Sequence, residues 1–182
     1  MIIWCILAVF FCLFLLNELY TFKTGVPTIA SFPRSRQKIV EALRKYGAER
    51  IVSGDFSIVD LGSGNGQLAD KIARAFPKAK VLGIEISFVP CLLSKLRRKL
   101  FGPANLEFQR LDFWPYDCSR VDAIVLYANG AIIERVSDKL RKELKTGALV
   151  VTNEIPLTGN WQPVEIMDTN FFKMKVFIYR QA

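Results

Sequence analysis

The feature that most constrains the fold of this chain is a glycine-rich turn near its middle. The turn reads Asp60-Leu61-Gly62-Ser63-Gly64-Asn65-Gly66. An apolar run, residues 57–59, comes before it and a helical pattern follows, while a second apolar run, residues 81–84, ends in Glu85. Glycine at a strand-to-helix turn permits positive φ and lets the backbone approach a ligand closely. This arrangement predicts a nucleotide-binding βαβ unit.

The glycine spacing distinguishes between two kinds of ligand. A dinucleotide requires the Gly-x-Gly-x-x-Gly pattern, and here the third glycine comes one residue early. S-adenosylmethionine (SAM) has no phosphate, and Asp60 suits the ammonium of its amino-acid tail. Glu85, with Ile86 beside it, is expected to accept both ribose hydroxyls. The other residues of this predicted SAM site are Gly62, Ser63, Gly64 and Gly66. A tight turn without a ligand is the alternative.

A third predicted strand, residues 106–111, leads into Asp112 and Phe113. Because it follows the Glu85 strand along the chain, we expect its end to lie beside the same site. Asp112 is then expected to accept a hydrogen bond from the adenine amino group, and Phe113 to cover one face of the ring. The alternative interpretation is a strand-end cap followed by a core phenylalanine.

Composition excludes several kinds of chemistry. The chain has no histidine, which removes the commonest general base and the usual partner of nucleophilic serine or cysteine. Its four cysteines have no metal-binding or disulfide spacing, so no metal is expected. The net charge of +8 includes basic groups at 34–38 and 95–99. These groups are interpreted either as solvated helix faces or as contacts to anionic lipid headgroups. No RNA-binding module is recognisable, so nucleic acid is not an expected partner.

The first 16 residues carry no side-chain charge, and with residues 17–22 the segment is long enough to cross a bilayer. The sequence therefore predicts a transmembrane anchor at 1–22, a linker at 23–34 and a catalytic domain at 35–182. A cleaved signal peptide is the alternative. Basic residues after the span place the domain on the cytoplasmic side of a bacterial inner membrane or an organelle membrane.

Strand and helix patterns alternate from residue 35 onward, which predicts a mostly parallel sheet covered by helices on both faces. The first helix is expected to end near Gly47. In the helix after the glycine turn, the predicted inward stripe is Leu68, Ile72 and Ala73. In the helix after Glu85 the side chains expected to face inward are Leu92, Leu93, Leu96 and Leu100.

The glycine motif, the acid at Glu85 and the Asp112-Phe113 pair resemble those of class I SAM-dependent methyltransferases. The resemblance covers about residues 35–182. It implies a Rossmann-like α/β fold with seven strands, the last pair forming a reversed hairpin, and SAM at the carboxyl ends of the strands.

A narrower resemblance is to membrane-anchored protein-lysine methyltransferases, whose mitochondrial members modify the adenine nucleotide translocase and the ATP synthase c-subunit. It rests on the apolar N-terminal segment, on residues 25–28, on the glycine motif and on residues 150–161. The chain departs from that group at Asn65 and at residues 128–130. The resemblance implies a protein substrate, and membrane proteins are among the candidates.

The class I resemblance places substrate-facing groups after the fourth strand, at Tyr127 and Asn129, and Glu154 at the end of strand five is a further catalytic candidate. A lysine nucleophile has to lose a proton, for which a carboxylate, a tyrosine or water is available in a chain without histidine. A core aromatic at Tyr127 and a solvated or capping carboxylate at Glu154 are the alternatives. Methylation of a lipid or quinone-type molecule, or SAM sensing without turnover, also remain open.

Overall fold

Strands and helices alternate in the computed structural model of the chain, which describes residues 4, 11, 32–52, 54–169 and 174–182. The helices in these ranges are α1 (Pro33–Val52), α2 (Gln67–Ala75), α3 (Phe88–Phe101) and α4 (Ile133–Glu143). The strands are β1 (Ser57–Leu61), β2 (Lys80–Glu85), β3 (Leu106–Arg110), β4 (Ala123–Leu126), β5 (Leu149–Asn153), β6 (Pro163–Asp168) and β7 (Lys175–Arg180). Helix α1 continues past Gly47, where the sequence predicted its end.

The strands form one seven-stranded sheet in the order β3-β2-β1-β4-β5-β7-β6. Strands β1 to β5 pair in parallel, and β7 runs antiparallel to both β5 and β6. The predicted Rossmann-like sheet with a reversed terminal hairpin is therefore confirmed. Because parallel strands end at one edge, the carboxyl ends of β1, β2, β4 and β5 lie side by side, and this edge carries the residues singled out in the sequence.

Helices cover both faces of the sheet, as predicted. Alternate strand residues point to opposite faces, so Ile58 belongs to one buried cluster and Val59 to the other. The first cluster is closed by α1 and α2, for example through Leu43 and Ile72. The second is closed by α4, for example through Leu140. The apolar period of each helix thus directs it onto its own side of the sheet.

Helix α3 differs from its prediction. The side chains that it buries are Pro90, Cys91 and Ser94. The four leucines that were expected to face inward are each at least half exposed, with values between 51% and 59% at Leu92, Leu93, Leu96 and Leu100. The prediction was wrong because it assumed that the largest apolar side chains of a helix face its sheet.

The single-pass membrane location predicted from the sequence is also corrected. Among the described residues, no helix has both the length and the apolar character needed to cross a bilayer. The segment predicted as the anchor, residues 1–22, lies outside the described residues apart from Trp4 and Phe11. The predicted linker, residues 23–34, is described only from residue 32 onward, and α1 already begins at Pro33.

Candidate active site

The glycine turn between β1 and α2 adopts a backbone that other residues rarely take. Gly62, Gly64 and Gly66 have φ values of 76°, 54° and 74°. The backbone N–H groups of Gly62 and Ser63 both donate to the Ile84 carbonyl at 2.9 Å, which ties the turn to the end of β2. A Cβ added at Gly62 would meet no atom within 4 Å, so the backbone there is open to a ligand.

Glu85 lies at the end of β2 with its side chain 7% exposed. Its carboxylate accepts a hydrogen bond from the Gly64 N–H at 2.8 Å and another from the Ser87 N–H at 2.7 Å. These two donors fix the carboxylate between the glycine turn and the start of α3. Each carboxylate oxygen keeps a further acceptor site, which suits the vicinal hydroxyls of a ribose.

Asp60 is the second acid of this edge, and its side chain is 4% exposed. Its Oδ2 is buried without a hydrogen-bond partner among the described residues. Burial raises the pKa of Asp60 to about 7, the nearby Glu85 carboxylate adds to the rise, and a backbone hydrogen bond from Ala69 opposes it. A buried carboxyl group in this position gains most from a cationic ligand.

The negative charge of Asp60 and Glu85 distinguishes between SAM and a dinucleotide as the ligand of the turn. SAM carries a net positive charge, because its sulfonium and ammonium groups outweigh its carboxylate, and this charge favours binding beside Asp60 and Glu85. The pyrophosphate of a dinucleotide brings negative charge, which two buried carboxylates repel. The open space at Gly62 and the unpartnered Asp60 Oδ2 therefore fit SAM and disfavour a dinucleotide.

The residues predicted to enclose the adenine lie further along this edge. Asp112 accepts a hydrogen bond from the Trp114 N–H at 3.0 Å, which is the strand-end cap that the sequence left open. The centroids of the Phe113 and Trp114 rings lie 4.8 Å apart, and Phe113 also packs against the buried cluster that α4 closes. The Ile86 side chain is half-buried, and its carbonyl accepts from Arg110 Nε at 3.3 Å. Contact of these three residues with adenine stays a prediction.

A second polar group follows β4 and β5. The Tyr127 hydroxyl donates to Glu154 Oε2 at 3.0 Å. Burial and this contact raise the pKa of Tyr127 to about 12, so the phenol stays protonated at neutral pH. Glu154 has φ 67°, the one non-glycine residue with positive φ in the described chain. The Ile155 N–H donates to the Asn153 carbonyl at 2.9 Å across it, a γ-turn whose backbone is strained at Glu154.

Asn129, the third catalytic candidate, has a structural contact. Its Oδ1 accepts from the Ala131 N–H at 3.1 Å, and its carbonyl accepts from the Ile132 N–H at 3.3 Å. These bonds shape the turn that leads into α4. The structure therefore brings Tyr127 and Glu154 together and uses the Asn129 amide oxygen within the turn.

The sequence missed two buried polar residues near this edge. Asn153 at the end of β5 is 1% exposed, and neither of its amide atoms has a partner among the described residues. Ser35, in the first turn of α1, is fully buried, and its hydroxyl also has no hydrogen-bond partner among the described residues. A bond from Arg36 to Gln67 places that end of α1 beside the glycine turn. Buried polar atoms without partners are costly and are typical of ligand sites. The position of Asn153 immediately before Glu154 was the available signal.

The sheet order, the glycine turn and the acids at the ends of β1 and β2 define a class I SAM-dependent methyltransferase. The chain belongs to the family described as the ANTKMT methyltransferase domain, whose family model matches residues 60–165. The prediction of a SAM-dependent methyltransferase, with SAM as its cofactor, is thereby confirmed.

Two similar proteins have assigned activities. The chain is 28% identical over 157 residues to a protein-lysine N-methyltransferase of Saccharolobus islandicus (strain REY15A), covering 85% of this chain and 93% of that protein. It is 26% identical over 146 residues to the adenine nucleotide translocase lysine N-methyltransferase of Mus musculus. That match covers 80% of this chain and 59% of the mouse protein.

Among solved structures, the fold is similar to an RNA methyltransferase from Salinibacter ruber in complex with S-adenosyl-L-homocysteine. The TM-score is 0.69 at 23% sequence identity, and the match covers 84% of this chain and 93% of that one. At this identity the likeness shows the fold alone.

Proposed function

We propose that this methyltransferase modifies the side-chain amine of lysine in a protein substrate. The observation that carries the proposal is the Tyr127–Glu154 hydrogen bond at the ends of β4 and β5, beside the edge that holds Asp60 and Glu85. A carboxylate there suits a positively charged lysine that approaches the site. The two lysine N-methyltransferases to which the chain is similar support the same substrate class.

SAM, when bound, supplies a methyl group on a positively charged sulfur. Asp60, Glu85 and the glycine turn are the groups that would hold it. The remaining task of the chain is to orient an amine and to remove its proton, because an ammonium has no lone pair. Holding the amine in line is itself worth several kcal/mol.

Glu154 is the proton acceptor in this proposal. A lysine ammonium has a pKa near 10.4, and removal from water lowers it toward neutrality. Tyr127 does not compete as a base, because its pKa of about 12 keeps the hydroxyl protonated. The hydroxyl instead donates to Glu154 Oε2 and so fixes the direction of the carboxylate. Oε1 accepts the hydrogen bond from the ammonium, takes the proton and passes it to water.

Asn153 is the second substrate group in this proposal. Its amide oxygen accepts a hydrogen bond from the amine without adding negative charge, so it orients the nitrogen and does not hold it as an ammonium. The buried and unpartnered state of both amide atoms supports this role, because an amide in that state gains a hydrogen bond when an amine arrives.

The test uses the full chain, SAM labelled in its methyl group and a histone mixture as a lysine-rich protein probe. We expect label on lysine, located by mass spectrometry. Glu154→Gln should lower kcat by about 100-fold or more, the scale for losing a general base. Tyr127→Phe should lower it about tenfold, the scale of one hydrogen bond to a charged group. SAM affinity by calorimetry should change less than about twofold in both variants, as neither residue belongs to the Asp60–Glu85 site.

Three results would count against the proposal. Label in extracted lipid would identify a lipid methyltransferase, and SAM binding without any labelled product would identify a sensor. A Glu154→Gln variant as fast as the parent protein would remove the assigned proton acceptor.

A further inference from the structure

Helix α3 presents a row of large apolar side chains to solvent. Phe88 is 47% exposed, and the four leucines of the helix are between 51% and 59% exposed. We call this surface the α3 face. Its members are Phe88, Leu92, Leu93, Leu96 and Leu100. Single exposed leucines are ordinary on a protein surface, whereas a contiguous patch of this kind marks an interaction site.

The arrangement follows from the helical repeat. Pro90, Cys91 and Ser94 point to the sheet. Residues four apart lie on one side of a helix, so Phe88, Leu92, Leu96 and Leu100 form a line on the opposite side. With a rise of 1.5 Å per residue, that line is about 18 Å long. An extended or helical segment of another chain matches a surface of this length.

Charge narrows the choice of occupant. The helix carries Lys95, Arg97, Arg98 and Lys99, and it has no acidic residue. By the helical repeat, the exposed Lys95 and Lys99 flank the apolar line, whereas Arg98 donates to the Leu106 carbonyl of β3 at 2.8 Å. A second copy of this chain would bring the same two lysines, on a protein of net charge +8, and the two faces would repel each other. A segment with apolar residues in the centre and glutamate or aspartate at its margin complements both the apolar and the basic side chains.

The α3 face begins at the rim of the active site. Phe88 is three residues after Glu85, and the intervening Ser87 donates its N–H to the Glu85 carboxylate. The guanidinium of Arg110, the last residue of β3, lies 5.4 Å from the centre of the Phe88 ring. A segment that lies along α3 therefore leads to the edge of the sheet that carries the predicted SAM and substrate groups.

We propose that the α3 face is a docking surface for the protein substrate, where it binds an apolar segment flanked by acidic residues. The inference rests on the proposed function, because only a macromolecular substrate can contact the rim and α3 together. Docking at α3 raises the affinity for the substrate and leaves the chemical step to Glu154 and its neighbours.

The probe is a synthetic amphipathic peptide of about 20 residues with leucines on one side, glutamates beside them and one lysine. A second peptide has serine in place of every leucine. The test variant is Leu92→Ser/Leu96→Ser, and the matched control is Val164→Ser/Ile166→Ser on β6, at the other end of the sheet. Val164 and Ile166 are 49% and 50% exposed, so all four positions have similar exposure.

We expect the test variant to bind the leucine peptide at least about tenfold more weakly by fluorescence anisotropy, the scale for losing two central apolar contacts. The control should bind it as the parent protein does, and both variants should bind the serine peptide equally weakly. With the leucine peptide as substrate, KM should rise in the test variant while kcat and SAM affinity stay unchanged. A KM that is the same in the two variants would overturn the proposal.

Other occupants give other results. If the parent protein sediments with phosphatidylserine vesicles and the test variant does not, while peptide affinity is equal in both, a bilayer surface is the occupant and the proposal is wrong. A dimer by analytical ultracentrifugation that the test variant loses would identify a second copy and would also overturn it. If the leucine peptide binds through α3 but its lysine is never methylated, the docking surface stands and the proposed lysine activity fails.

Discussion

The first and second βα units of this sheet each contribute one acid to the predicted SAM site, yet their helices pack in opposite ways. Helix α2, after Asp60, buries the apolar stripe that its sequence predicts, including Leu68 and Ile72. Helix α3, after Glu85, buries small residues and exposes its leucines. Hydrophobicity alone decides the orientation of the first helix but not of the second.

The difference originates at Phe108 of β3. A Cβ on Gly66 would lie 2.3 Å from the Phe108 ring and 2.9 Å from the Ser94 Cβ, and a Cβ on Gly83 would lie 2.5 Å from the same ring. The ring thus fills the space between the two glycines, and α3 approaches so closely that Ser94 packs beside Gly66. The glycine turn therefore sets which side of α3 can face inward.

The largest effect is expected when this contact is broken. Gly66→Ala adds a methyl group to filled space and forces alanine to φ 74°, which together should cost about 4 kcal/mol of unfolding free energy. Gly62→Ala is the matched control, because its φ of 76° is similar but its space is open, and it should cost about 1 kcal/mol. Urea unfolding measures both. Equal costs would show that the Phe108 contact does not determine the packing.

The next effect concerns the conventional stripe of α2. Ile72 is fully buried in the cluster that α1 and α2 close, so Ile72→Ala should cost about 3 kcal/mol of unfolding free energy. The cost arises from lost apolar burial and from the cavity left behind. The urea midpoint should fall with an unchanged m-value. A loss below about 1 kcal/mol would mean that α2 is held by its turn and not by its stripe.

The third effect is a pH dependence of the unfolding free energy that arises from Asp60, in the first βα unit. The pKa of Asp60 rises from an ordinary 3.8 to about 7 in the folded protein, so the folded state binds this proton more tightly than the unfolded state. Stability should therefore fall as pH rises between these two values, by about 2 kcal/mol from about pH 5 to about pH 7. Asp60→Asn should remove this slope in unfolding experiments.

Asp55→Asn is the control for that experiment, because the Asp55 side chain is 94% exposed and should leave the slope intact. SAM should bind the parent protein more tightly as pH rises through 7, since the ionised Asp60 attracts its cationic groups. An affinity that stays constant with pH in the parent protein would contradict a contact between Asp60 and the cofactor.

What the sequence predicted correctly depends on local signals. The glycine spacing and the acids at successive strand ends predicted the turn, the cofactor and the place of Asp60 and Glu85 at one edge. The features that it missed depend on side-chain packing in the folded chain, which the local pattern does not show. Gly47 reads as a helix end, but it lies inside α1, where a Cβ would come within 3.1 Å of Ile51 and 3.2 Å of Phe56.

The buried amide of Asn153 and the strained turn at Glu154 are missed for the same reason. Apart from the position of Asn153 next to Glu154, the sequence carries no sign of either feature, because the burial of Asn153 and the backbone geometry of Glu154 are imposed by neighbouring strands. The Glu154 N–H, for example, donates to the Lys175 carbonyl at 2.7 Å, across the start of β7. The orientation of α3 also depends on Phe108 of β3, which packs against Gly66 in the turn before α2 and against Gly83 of β2.

The smallest expected effect, that of a leucine on α3, tests most directly whether α2 and α3 pack in opposite ways. Leu96 occupies the middle of α3 and is 51% exposed, so Leu96→Ala should change the unfolding free energy by less than about 0.5 kcal/mol. Alanine is a good helix former, which removes helix propensity as a cause of any larger change. Urea unfolding of Leu96→Ala beside Ile72→Ala should therefore separate a solvent-facing row from a core stripe on two helices of the same sheet. If Leu96→Ala instead costs as much as Ile72→Ala, the leucines of α3 belong to the folded core and the α3 face is not available to a substrate.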